Sequence, residues 1–281
     1  MPAAVLGLLS ALVYGSADFV GGLAARAIGA LRTTALGAVG GLVLLLLALP
    51  FVGGVWSAAA LGWGAASGAV GAAAVALLYA CLAIGPMSIL SPLTALVSAV
   101  VPMVWGLAGG DRFAPIGYVA LGLALVAVVL VGFVPERGAV RPSPRALGMA
   151  VAAGALIGVF LIMLNQTPAD SGLVPLVANR AVNAAIMWTI VGILAARGIT
   201  RNMERRGGLL AVGSGLLDAS ANVLILLGLR AGDLTTMSVL VALYPAGTIV
   251  LAAIVLRERI APVQWVGLVL AVAAAALLAV A

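Results

Sequence analysis

Ten runs of apolar residues, each about 20 long, follow one another with almost no polar sequence between them. They cover residues 3–25, 34–53, 58–82, 87–109, 114–134, 146–166, 172–196, 207–229, 234–256 and 262–281. A helix rises about 1.5 Å per residue and membrane hydrocarbon is about 30 Å thick, so ~20 apolar residues make one crossing. A backbone inside hydrocarbon must satisfy its own hydrogen bonds, which leaves helices or closed barrels. The runs lack the alternation of barrel strands. The spacing therefore predicts an all-α integral membrane protein with ten transmembrane helices. Only 8% of the residues are charged, against about 25% in a soluble domain, too few to coat a water-facing surface. The first run has no basic leading segment and carries Asp18 inside it, so it reads as a retained helix and not a signal peptide.

What is missing narrows the chemistry. There is no His, no Lys, and one Cys, Cys81. A His/Cys metal site, a disulfide framework and a Ser-His-Asp triad are excluded. No cofactor is expected. The net charge of +6 sits between apolar runs, so it speaks of membrane orientation and not of nucleic acid. The connections after runs 1, 5, 7 and 9 hold Arg26, Arg32, Arg137, Arg141, Arg145, Arg197, Arg201, Arg205, Arg206, Arg257 and Arg259; the other side holds Arg112, Arg180 and Arg230. The positive-inside rule puts the Arg-rich side in the cytoplasm and both termini outside.

The two halves of the chain resemble each other. A shift of 147 lays 68–133 on 215–280 without a gap: Gly68 meets Gly215, Gly85 meets Gly232, Ser91 meets Ser238, and Leu93, Ala95 and Leu96 meet Leu240, Ala242 and Leu243. Asp111-Arg112-Phe113-Ala114-Pro115 meets Glu258-Arg259-Ile260-Ala261-Pro262, a match that apolar composition does not produce. The division is 1–134 and 146–281, joined by the polar stretch 135–145. Five helices per copy is an odd number, so the second copy enters the membrane upside down, an inverted repeat of the kind secondary transporters use.

On these two loop motifs, Gly110–Pro115 and Leu256–Pro262, the chain resembles the ten-helix EamA-type members of the drug/metabolite transporter superfamily. Pro102 and Pro245 also fit. Asp111 stands where the family usually has Glu, and Arg257 where it usually has Gly. The resemblance implies transport of small solutes, with helices one to four and six to nine around a cavity and helices five and ten outside. It implies both termini inside, against the Arg count.

Polar groups at membrane depth are the candidate site, because an ionisable side chain there costs ~2.5–3.5 kcal/mol and usually faces a cavity or a partner. Asp218 is central in helix eight, on one stripe with Ser214 and Asn222. It reads as a cavity carboxylate for a cationic group or a proton, or as a buried carboxyl bonded to Asn183. Asp18 reads as a second acid facing the cavity, or as a partner of Arg26 or Arg32. Arg180, expected near the interface, reads as a partner of Asp170 or of a substrate carboxylate. Asn179 and Asn183 share a face of helix seven. Ser98 and Trp105 on helix four and Tyr244 on helix nine are further cavity candidates, while Trp56, Trp63 and Trp265 read as interfacial belt residues. Gly37/Gly41, Gly64/Gly68, Gly106/Gly110 and Gly154/Gly158 have the small-xxx-small spacing of tight helix packing.

The expected function is a carrier of the cell membrane (the inner or plasma membrane) for a small polar metabolite, an amino acid, an amine or similar. Its partners are that small molecule and the lipid bilayer, with a homodimer left open and nucleic acid excluded. The rivals are a lipid-modifying membrane enzyme using two carboxylates, a non-transporting subunit and a channel.

Overall fold

The computed structural model describes residues 2–84, 87–132, 142–198, 204–257 and 259–279. Most of the 135–145 joint, with Gly85, Arg137, Arg141, Arg201 and Glu258, lies outside the described residues, as does the side chain of Ser91. The described residues form α1 (Pro2–Ile28), α2 (Ala30–Val52), α3 (Ala58–Ile84), α4 (Met87–Gly109), α5 (Pro115–Gly132), α6 (Pro144–Asn165), α7 (Val174–Ala196), α8 (Arg205–Ala231), α9 (Leu234–Val241), α10 (Tyr244–Val255) and α11 (Pro262–Leu278), with a 3-10 turn at Ala169–Ser171. Nine spans among them are long and apolar enough to cross hydrocarbon, α9 and α10 together making one. The tenth, α11, is shorter than the run that predicts it, 17 residues or about 26 Å.

Two boundaries differ from the sequence reading, each for a local reason. The polar break between the first two runs is itself helical. Gly29 alone turns the chain there, with φ 87°, a left-handed conformation that costs glycine little, so Arg26 and Arg32 sit on helices. The ninth run is two helices, broken at Ala242 and Leu243. Pro245 has no N–H to give to the Val241 carbonyl, and the Leu243 N–H bonds Leu240 at 3.1 Å instead. The matching position in α4 is Ser98, which has an N–H, and α4 runs unbroken through Pro92 and Pro102.

Following the main packing contacts from helix to helix closes a ring: α1, α8, α2, α7, α3, α6, α4, then α9 and α10, and back to α1. α5 and α11 pack on each other outside it, through Ala120, Ala124 and Val128 against Ala271, Ala274 and Ala275. Exchanging each span for the one five places on maps these contacts onto themselves. α1–α8 becomes α6–α3, α2–α8 becomes α7–α3, and α4–α6 becomes the pairing of α9 and α10 with α1.

Small residues set these contacts. Gly64 and Gly68 lie against the backbone of Pro175 and Asn179, Gly154 and Gly158 against Thr94, Val101 and Pro102, and Gly37 and Gly41 against Ala211 and Gly215. Without a hydrophobic gain between helices in lipid, such backbone contact is what dispersion forces need. Only the Gly106/Gly110 pair divides its work. Gly106 sits under Thr235, while Gly110 turns the chain at φ 120°.

The loop motifs have a packing role. The Asp111 carboxylate accepts hydrogen bonds from the Thr235 backbone N–H (3.2 Å) and hydroxyl (2.6 Å), capping α9 from the other half of the chain. Asp233 caps it locally through the Thr236 N–H. Arg257, the counterpart of Gly110, is the one non-glycine residue at positive φ (55°) among the described residues. At the Asp111 face, opposite to that of Arg257, Val55 N–H bonds Asp170 O, Leu173 N–H bonds Gly53 O, and Arg230 donates to Ser171 Oγ and Gly172 O at 3.0 and 3.1 Å.

Candidate functional site

Nine residues along a helix is two and a half turns, so residues nine apart lie on opposite faces. Asp218 is nine residues from both Leu209 and Leu227, which are exposed on the outside of α8. It therefore points into the ring, at the midpoint of α8 and about 20 Å from either end. Asp18 stands nine residues from Leu9, one of three exposed residues (Val5, Leu9, Leu12) on the outer face of α1. It also faces the interior. Its side chain is accessible, as a carboxylate on the wall of an interior recess would be. The contacts Ala3–Gly232, Leu6–Gly228, Gly21–Ser214 and Ala27–Gly207 set α1 antiparallel to α8. That register brings Asp18 to the level of Leu216 and Leu217, within one turn of Asp218.

Asp218 is not held by Asn183. It forms an ion pair with Arg180, the one such pair among the described residues, and the two side chains are 13% and 23% exposed. α2 stands between α7 and α8 in the ring, so Arg180 reaches past it. It does so at Gly41, where an added Cβ would lie 3.6 Å from Arg180 Cδ. This corrects the expected place of Arg180 near the interface beside Asp170. The cation beside Asp170 is Arg230. Asn222 donates to the Asp218 backbone carbonyl at 2.8 Å and to its carboxylate at 3.4 Å, so the predicted stripe exists. Ser214 turns back to the Ala211 carbonyl of its own helix. The side-chain oxygens of Asn183 and Asn222 are buried without a hydrogen-bond partner.

Tyr244 packs its ring on Tyr14, centroids 5.7 Å apart, and lies within electrostatic reach of Asp18. Tyr14 is in the same relation to Arg180. The interior wall thus runs from α10 through α1 and α8 to α7, carrying Tyr244, Tyr14, Asp18, Asp218, Asn222 and Arg180. Tyr14 was missed from sequence. The signal was present, since Tyr14 and Asp18 are four apart and share a face. The α1–α10 side of the wall is close because Gly15 meets the Tyr244 carbonyl and Gly247, and the Thr248 hydroxyl donates to Gly15 O at 3.0 Å.

Three candidates lie elsewhere. Ser98 is buried and donates to Ala95 O of its own helix, the ordinary use of a hydroxyl in a membrane helix. Asn179 is held by Ser67 across the α3–α7 contact at 2.8 Å. Trp105 is 57% exposed and lines a groove of about 570 Å³ with Trp63, Val159, Met163 and Gln166. Ala152, Val159, Met163 and Gln166 recur on one face of α6, and Val151 and Ala152 at its start are exposed. The groove therefore lies on the exposed face of α6. Among the described residues no cluster of Asp, Glu or Cys could hold a metal ion.

Residues 144–280 match the model of the EamA-like transporter family. Comparison with curated proteins gives no match. A protein solved by crystallography superposes on 98% of this chain and 95% of its own at TM-score 0.75 and 17% identity, a likeness of fold. The family model, the loop motifs and the eight-span ring with α5 and α11 outside agree: the second half of this multi-pass membrane protein, residues 144–280, belongs to the EamA-like transporter family of the drug/metabolite transporter superfamily.

Proposed function

We propose that the chain is a secondary carrier of the cell membrane, moving a small polar metabolite by alternating access. The moving parts are the halves 1–134 and 146–281, inverted with respect to each other, rocking about the centre of the ring. The observation that carries this reading is the placement of Asp18, Arg180 and Asp218 on the inner side of the ring at mid-membrane. Charges there are expensive for a merely structural protein, and they suit a solute with charged groups, an amino acid or an amine. In the working form, export is driven by protons, a carboxylate giving up its proton as substrate binds. The Arg-rich loops face the cytoplasm on this reading and both termini lie outside, because those loops are short, the regime in which positive charge sets orientation.

The test is electrogenic transport on a solid-supported membrane. Purified protein in liposomes is challenged with amines, amino acids and sugars, with and without a pH gradient, and electroneutral movement is followed by counterflow of labelled solute. A saturable current or counterflow from a charged solute supports the carrier. Silence in both assays across the panel removes it. Transport that keeps its rate and pH dependence in the Asp18→Asn, Asp218→Asn double variant removes the proton coupling.

A further inference from the structure

We propose that Arg180 is the receptor for a substrate carboxylate, and that Asp218 is a built-in competitor holding it in reserve. This rests on the carrier reading and assigns the parts of its site. A guanidinium recognises a carboxylate through two parallel N–H···O bonds. In the structure one terminal nitrogen of that guanidinium is paired with an Asp218 carboxylate oxygen. The pair is not sealed: 13% and 23% of the two side chains are exposed, and both residues lie on the interior face of the ring. An incoming carboxylate therefore meets a receptor already charged, oriented across Gly41 and neutralised.

Exchange is the consequence. A ligand with a carboxylate alone displaces Asp218 and leaves that anion unpaired at mid-membrane, within one turn of the level of Asp18 on the neighbouring helix. A ligand that also carries an ammonium group replaces both partners. Its carboxylate goes to Arg180, and its ammonium is taken up by the Asp218 and Asp18 carboxylates, with the unpartnered Asn222 oxygen as a further acceptor. The geometry thus selects small zwitterions over simple anions. It rejects simple amines, which leave Arg180 with Asp218 and compete only for the remaining lone pairs. Because Asp218 is tethered, its effective concentration at Arg180 is high and independent of anything in solution. A tenfold change in affinity corresponds to about 1.4 kcal/mol. Removing the competitor should strengthen simple-anion binding at least about tenfold.

The experiment measures binding to the full chain in detergent by intrinsic tryptophan fluorescence and thermal shift. The probes are propionate, propylamine and alanine: an anion, a cation and a zwitterion of similar size. In the wild-type protein alanine is expected to bind, with propionate at least tenfold weaker. In Asp218→Asn propionate should gain at least tenfold, and in Arg180→Gln with Asp218→Asn the gain should vanish. A folded Asp218→Asn variant that binds propionate no better than wild type overturns the proposal. If that variant does not fold, wild-type protein decides, by labelled alanine binding in the presence of the other two probes. Stronger competition by propylamine than by propionate refutes Arg180 as the receptor. Propionate gain without any transport in liposomes keeps the receptor and removes the carrier. Transport without the gain does the reverse.

Discussion

Gly215→Ala is the sharpest test of how this fold is held. A Cβ built at Gly215 lies 2.0 Å from the Gly37 carbonyl oxygen and 2.4 Å from Gly37 Cα. Both are backbone atoms of a neighbouring helix, so no side chain can swing aside, and α2 and α8 must part by about 1 Å for ordinary van der Waals contact. Overpacking of this kind costs about 1–3 kcal/mol. Two residues earlier on the same helix, Gly213 has nothing within 4 Å of its would-be Cβ. Gly213→Ala therefore meets no contact and gains up to about 1 kcal/mol of helix propensity. That gain is common to both substitutions in one helix, so the two variants should differ by the overpacking alone, about 1–3 kcal/mol. At about 2–4 °C per kcal/mol for a chain of this size, Gly215→Ala should melt about 2 °C or more below Gly213→Ala. Thermal unfolding in detergent, read by tryptophan fluorescence, measures this directly. Equal melting temperatures would mean that α2 and α8 do not touch at this crossing, and the ring order would have to be redrawn.

Three further outcomes follow from other contacts. Asp111→Ala removes the carboxylate that caps α9 through Thr235, which should cost about 0.5–2 kcal/mol in the same assay; Asp111→Glu, the residue usual in the family, should lose less. Arg257→Gly places the permissive residue at φ 55° and should stabilise by about 1 kcal/mol; a loss of stability would refute strain at that position. Trp105→Ala, which strips a side chain from the groove on α6 away from the Asp18–Arg180–Asp218 wall, should leave substrate affinity in the liposome assay within twofold, whereas a tenfold loss would make Trp105 part of the substrate site.

The membrane class and the number of spans were legible because the hydrocarbon thickness imposes one length scale on every crossing helix. The packing of the halves was legible through glycine pairs whose spacing is fixed by the helix repeat. Breaks and turns were harder. Gly29 makes a turn without any polar loop, and Pro245 stops a helix that Pro92 and Pro102 do not stop. Ser98, a polar residue on a suitable helix face, serves its own helix. A helix face can be read from spacing, but which face looks inward depends on the helices beside it.

The Arg180–Asp218 pair shows where such reading ends. Each residue was visible as a charge in an apolar run, and each had a nearer suitor in sequence, Asp170 for the arginine and Asn183 for the carboxylate. Partner choice followed depth instead. Arg180 enters α7 from one face of the membrane and Asp218 lies at the centre of α8, with α2 between them. They meet only because position 41 of α2 is glycine and leaves room for the arginine stem. Replacing Gly41 with leucine should therefore part the charges without touching either one. Breaking a buried pair by removing one partner costs about 3–5 kcal/mol, and partial exposure of these two lowers that figure, so a loss of about 1–3 kcal/mol is expected beyond the cost of crowding Gly215 and Ala219. The added term can be isolated in a Gly41→Leu, Arg180→Gln, Asp218→Asn triple variant. There the leucine should cost less than it does in the wild-type background; an equal cost in both would show that Gly41 serves only the α2–α8 contact and does not position the pair.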